Sequence, residues 1–228
     1  MCDTFADLQR FYAVLSRRSD GGLCHLAPCN GRLEWPPRGV YFFFEDGELR
    51  TDGSPRVVRV GTHAIIANSK VMLWKRLSEH RGTESGTGNH RSSIFRRHVG
   101  GALLTRDAGT LPAAPRWGKR GKAGKPTSAA ERSAEETVER AVSAYLGTMP
   151  FVFVAVDDEA SRDSHRATIE RNSIGLLSAA RREGIDGPSK AWLGHYCPNS
   201  KVRASGLWNH QHVDSRYDPA FLDLLESL

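Results

Sequence analysis

Apolar residues along this chain recur at two spacings, and the changes between them mark out its elements. From Asp3 to Leu15, Phe5, Leu8, Phe11, Tyr12 and Leu15 fall three or four residues apart, which lays them on one face of a helix. Ser19 to Pro37 loses that period and reads as a turn-rich connector. Gly39 to Glu45 is a run of aromatics and valine, and Pro55 to Val60 is a returning strand. Asp46-Gly47 and Asp52-Gly53 between them are turn signals, so the pair is a hairpin with a long loop. Helical spacing returns at Val71, Met72, Leu73, Trp74 and Leu77, with Asn68 or Ser69 as the cap and Gly82 as the stop.

A short apolar helix is expected from Ile94 to Leu104. A longer one follows from Ala130 to Leu146, with Ala134, Val138, Ala141, Val142 and Tyr145 along one face. Phe151 to Val156 is apolar without alternation, the pattern of a central strand buried on both faces. Asp163 or Ser164 caps a helix expected to run through Arg182, carrying Ile169, Leu176 and Leu177. The tail from Trp192 reads as irregular until a final short helix, Pro219 to Leu228. No internal repeat is visible. The fold class expected is α/β (α+β), a small three-stranded antiparallel sheet flanked by helices, with too few strands for a doubly wound fold. The organisation expected is an N-terminal helix and connector over 1–37 and a main domain over 38–228, with an insertion at about 105–130.

Composition narrows the picture only a little. The 228 residues are 39% hydrophobic and 25% charged, ordinary for a globular protein and enough to bury a core. The net charge of +6 favours a polyanionic partner such as nucleic acid. The N-terminus has acids at Asp3 and Asp7 and no apolar stretch of leader type, and no segment approaches the ~20 apolar residues of a membrane span. Cys2, Cys24, Cys29 and Cys197 are scattered. Together these features lead us to expect free thiols in a cytoplasmic setting, with no membrane partner. Cys24, His25 and Cys29 are poorly spaced for zinc, and no second ligand pair follows.

Three features carry chemistry. Tyr41 follows Gly39-Val40 on one strand, and Gly61 ends the partner strand after Arg59-Val60; glycines there allow close approach of a backbone or ligand. Arg76 and His80, four residues apart, share a helix face. Glu170 sits mid-helix, just after the buried strand. Taken singly, the tyrosine is a core residue with its hydroxyl at an edge, the Arg/His pair a solvated face, and the glutamate a surface residue.

Taken together they resemble the GIY-YIG nuclease superfamily. Gly39-Val40-Tyr41 looks like the first tripeptide, and Arg59-Val60-Gly61 stands where the second is expected. Arg76 to His80 resembles the family's Arg-x-x-x-His helix, Glu170 its metal-binding glutamate, and Asn209 the asparagine that closes many family domains. The resemblance spans roughly Arg38 to Asn209, with a long insertion between the second and third strands. Gly88 to Gly100 looks like a branch-specific extension. Arg59 departs from the usual tyrosine; some restriction-enzyme branches place a basic residue there.

The resemblance implies a metal-dependent endonuclease that hydrolyses DNA, most simply duplex DNA, in restriction or host defence. Phosphodiester hydrolysis needs an activated water and charge relief on the phosphoryl oxygens. Glu170 would be the single protein ligand of Mg²⁺ (or Mn²⁺), a cation that commonly takes one or two carboxylates. Arg76 would fork onto phosphate oxygens. Tyr41 would be the general base, with Arg59 and Arg76 expected to lower its pKa and His80 to take or hold its proton. His63, His90 and Arg91 are candidate phosphate contacts, with a turn hydrogen bond the competing reading for His63. Arg116, Lys119, Arg120, Lys122 and Lys125 lie in a stretch, Pro112 to Ser128, expected to be a loop or mobile arm that tracks phosphates or merely links. Cutting both strands from one site per chain suggests a homodimer. The rivals are a nucleic-acid-binding module of the same fold with catalysis lost at Arg59, a repair or RNA-processing nuclease, and an unrelated α/β protein.

Overall fold

In a computed structural model of the chain, residues 3–19, 23–119, 121–181 and 186–228 are described. Cys2, Arg120 and the expected helix end at Arg182 lie outside the described residues. One antiparallel sheet contains β1 (Cys24–His25), β2 (Gly39–Leu49), β3 (Pro55–Gly61) and β4 (Pro150–Ala155), in the order β1-β4-β2-β3. The sheet therefore has four strands where three were expected. The extra strand, β1, pairs Cys24 with Phe151 and His25 with Pro150. Two residues are too few to show a period.

Alternation along β2 explains the layers. Val40, Phe42 and Phe44 point to one face, where they meet α1 (Thr4–Ser19), α5 (His165–Leu177) and α7 (Ala220–Ser227) through Phe11, Ile169 and Phe221. Tyr41 and Phe43 point to the other, where they meet α2 (Leu73–Arg81), α3 (Ile94–Arg106) and α4 (Ala129–Gly147) through Leu77, Phe95 and Val142. The sheet is thus the middle of three layers. Each aromatic ring fully buried this way contributes roughly 1.5–3 kcal/mol. β4 lies between β1 and β2, which accounts for its unbroken apolar run. A register shift opposite Phe43 and Phe44 inserts one extra residue in β3. This bulge leaves Arg59 and Gly61 opposite Phe43 and Tyr41, while Val57 and Val60 face the first core.

Several boundaries differ from the expectation. α2 begins at Leu73, because Asn68 is left-handed (φ 64°) and Met72 is extended (φ −95°, ψ 161°). Val71 and Met72, expected on its buried face, are exposed. α5 stops at Leu177, where Ser178 turns extended and a short 3₁₀ turn, Ala179–Arg181, follows. The tail holds a 3₁₀ turn, Leu193–Tyr196, and a six-residue helix, α6 (Ser200–Ser205), capped by the Asn199 side chain. The described part of the arm is packed: Trp117 stacks on His90 at 3.9 Å, Arg116 pairs with Glu131 (3.0 Å), and Gly121–Gly124 forms a 3₁₀ turn. A tryptophan among the lysines provides the apolar hold that a freely solvated arm lacks.

Candidate active site

Tyr41 stands on β2 directly opposite Gly61, and its ring crosses the space a side chain would fill. A Cβ on Gly61 would lie 2.4 Å from the Tyr41 hydroxyl, and one on Gly39 would lie 2.6 Å from the Val154 carbonyl. Both motif glycines are therefore required by contact. Tyr41 Oη lies 2.8 Å from His80 Nε2, and His80 Nδ1 lies 2.8 Å from Ser93 Oγ. Ser93 also caps α3, accepting the Arg96 N–H at 3.2 Å. Arg96 is wholly buried; it pairs with Glu139 (2.6 Å) and donates to the His80 carbonyl (2.8 Å), which ties α2 to α3 and α4.

Burial sets the protonation of this pair. It pushes the Tyr41 phenol above its ordinary pKa, although Arg59 and Arg76 pull it down. The expected lowering by the arginines is real in sign but is outweighed. Burial also drives His80 well below its usual value, and Arg59, Arg76 and Arg96 add to the effect. The resting pair is a neutral phenol beside a neutral imidazole.

Arg59 leans from β3 to donate to the Trp208 carbonyl (2.8 Å), with its guanidinium over the Phe95 ring. Asn209 pairs with the open edge of β3: its Oδ1 accepts the Val60 N–H (3.1 Å) and its Nδ2 donates to the Val60 carbonyl (2.9 Å). Arg76 donates to Glu79 (2.9 Å) and to the Ser92 carbonyl (3.3 Å). Glu170 reaches from α5 to the end of β3, where its Oε1 accepts the Thr62 N–H (3.2 Å). Burial raises its pKa, against Arg59, that N–H and Arg76. All six of these residues, Tyr41, Arg59, Arg76, His80, Glu170 and Asn209, line one cleft of about 660 Å³.

A family model described as the GIY-YIG domain matches residues 3–228. The chain belongs to the GIY-YIG family. Membership implies a nuclease of the endonuclease kind with a nucleic-acid substrate. No curated protein and no solved structure matches the chain.

The GIY-YIG cleft gathers some of the expected phosphate contacts and leaves others outside. His63, Arg91 and Lys119 line it. His63 is buried, sits 3.3 Å from the Pro37 carbonyl through Nε2, and is pushed down to about 4 mainly by burial. Arg91 is held by both oxygens of Glu135 (2.9 Å each). His90 turns inward, fully buried, with Nδ1 2.9 Å from Glu139 and its ring under Trp117, so it offers nothing to a phosphate at the surface. Lys122 and Lys125 are exposed outside the lining. Arg120 lies outside the described residues. The sequence reading missed Ser93 behind His80, the Thr62 N–H on Glu170, and Arg97, His210 and His212 on the cleft wall. The run Asn209-His-Gln-His212 was the available signal for the last two.

Among the described residues no three His, Cys, Asp or Glu side chains cluster as metal ligands. A lone cleft carboxylate remains, and Glu170 Oε2 has no hydrogen-bond partner among the described residues. That donor set fits a hard divalent cation that keeps its waters and takes phosphate oxygens. No helix among the described residues is long and apolar enough to cross a membrane.

Proposed function

We propose that this GIY-YIG chain is a metal-dependent endonuclease that hydrolyses phosphodiester bonds in duplex DNA. The observation that supports it best is the 2.8 Å contact between Tyr41 and the buried neutral His80, in the same cleft as Glu170, Arg59 and Arg76. Glu170 would hold Mg²⁺ or Mn²⁺, which when bound polarises the phosphate and steadies the leaving oxygen. Tyr41 takes a proton from the attacking water while passing its own to His80 Nε2. His80 is then imidazolium, with Nδ1–H on Ser93 Oγ. The water oxygen bonds to phosphorus and the bond to the leaving oxygen breaks. Arg59 and Arg76 offset the charge gathering on the non-bridging oxygens. Asn209 acts through β3, holding the 208–212 segment against the sheet edge.

Plasmid cleavage by wild type and Glu170→Ala, with Mg²⁺ and with EDTA, tests this reading. The variant should lose ~10²-fold or more in rate while binding DNA near normally, because the cation's share of the barrier is several kcal/mol. Equal rates would remove Glu170 from the metal site. The biological setting we read as restriction or host defence, on the resemblance at Arg59. Cells expressing the chain should then reject unmodified plasmid, and equal transformation by modified and unmodified plasmid would end that part. One site per chain cuts one strand at a time, so we assign double-strand cleavage to two copies.

A further inference from the structure

A second cleft, of about 1130 Å³, adjoins the first. Both are lined by Glu170, Ile65, Ile66, His210, Gln211 and His212, so they are two arms of one depression that meet at Glu170. The second arm carries Arg162, Arg171 and Lys201. Lys201 is held by Asp214 (2.5 Å). Arg162 and Arg171 are exposed, and neither has an ion-pair partner among the described residues. Glu170 is the only acidic residue in that lining among the described residues.

An exposed turn, residues 64–69, borders both arms through Ile65 and Ile66 and forms a prong-like element. Its tip, Ile65 and Ile66, is 38% and 67% exposed. Its root is fixed by Arg166, which is fully buried, ion-paired with Asp158, and donates to the carbonyls of His63 and Ala64. The Ser69 N–H donates to the Ile66 carbonyl (3.0 Å) and closes the turn. Ala64 and Asn68 take left-handed backbone (φ 53° and 64°), which L-residues adopt at a cost. A held apolar tip bordering two cationic arms has the chemistry of a polyanion whose interior is flat and apolar. Duplex DNA is such a ligand: phosphates take the arms, and isoleucine is one of the side chains that press on base steps.

We propose, resting on the nuclease reading above, that the Arg162–Arg171 arm carries the DNA backbone onward from the scissile phosphate and that the Ile65–Ile66 prong bears on the bases between. Binding to a short DNA duplex containing 2-aminopurine, measured without divalent cation at several salt concentrations, tests it. Arg162→Ser/Arg171→Ser should flatten the slope of log K against log salt by ~1.8, from ~0.9 per lost phosphate contact. The charge-matched Arg18→Ser/Arg132→Ser control, at exposed residues outside both linings, should leave the slope as in wild type. Ile65→Ser/Ile66→Ser should keep the slope, weaken binding ~10-fold and abolish the 2-aminopurine brightening that marks base unstacking. If wild type binds and cuts but the arginine pair leaves the slope unchanged, the second arm is wrong and the nuclease reading stands. Unchanged affinity and brightening in the isoleucine pair would remove the prong from the bases. If wild type does not bind the duplex at all, the DNA reading fails and this inference fails with it.

Discussion

In the proposed mechanism the Tyr41 hydroxyl would serve the chemistry as well as the packing, and a single atom change separates the two. It is the partner of His80 Nε2 in a fully buried site. Tyr41→Phe keeps the ring against Phe43 but leaves that nitrogen without a partner, which should cost ~1–3 kcal/mol of stability. As general base, the same hydroxyl should be worth ~10²–10⁴ in single-turnover rate. Cleavage and urea unfolding of one variant therefore report separate roles. Lower stability with an unchanged rate would make the hydroxyl a structural partner only. Arg59 fits the same scheme, because its charge pulls down both the Tyr41 phenol and the His80 imidazole. In the proposed mechanism it would add to the burial that keeps His80 neutral and offset part of the burial that holds the Tyr41 proton.

At the scale of elements, β3 positions the site, and its last residue can be tested. A methyl group added at Gly61 would have to displace the Tyr41 ring, whose hydroxyl would lie 2.4 Å away. Gly61→Ala should cost ~1–3 kcal/mol as overpacking and lower the rate ~10²-fold, since misplacement of ~1 Å can cost that much. In a Tyr41→Phe background that rate loss should vanish, because the hydroxyl it displaces is gone. A full loss in both backgrounds would mean that Gly61 serves something other than Tyr41. The sequence carried the sign of this constraint: glycines on facing strands with a tyrosine between them announce close approach. It did not say what approaches. α1 and α4 were legible because each repeats its period several times, and β4 because its apolar run is unbroken. The two hairpin strands were legible, but β2 runs on through Asp46-Gly47 to Leu49, so the long loop expected there is a short turn at 50–54. β1 and α6 were not legible, being two and six residues long. The β3 bulge follows from pairing across strands, which no local period records. Ser93, Arg96 and Thr62 support the site through contacts 13, 16 and 108 residues apart in the chain, beyond any motif spacing. The arm misled because its charge run was weighed without Trp117, whose indole donates to the Arg97 carbonyl (3.0 Å).

For the whole molecule, buried histidines make stability depend on pH. Burial pushes His63 down to about 4 and His98 to about 3, and drives His80 well below its usual value. In the unfolded chain each titrates near ~6.5. Below that pH the unfolded state takes up protons that the folded state refuses, so the contribution is complete above ~6.5 and is lost as pH falls toward the folded values. Glu45 and Glu170 oppose the trend, because burial raises their pKa values and the folded state takes up their protons first. A difference measurement isolates one histidine from this sum. His98 packs Nε2 against His210 Nδ1 (3.2 Å) and is not in hydrogen-bond contact with Tyr41 or His80. His98→Gln removes its titration and retains a polar group of similar size. Urea unfolding from pH 7.5 to 4 should show wild type losing stability relative to the variant by ~1.4 kcal/mol per pH unit once pH is below ~6. Parallel stability curves over that range would show that His98 is protonated in the fold, and that its burial beside Arg59 and His210 does not hold it neutral.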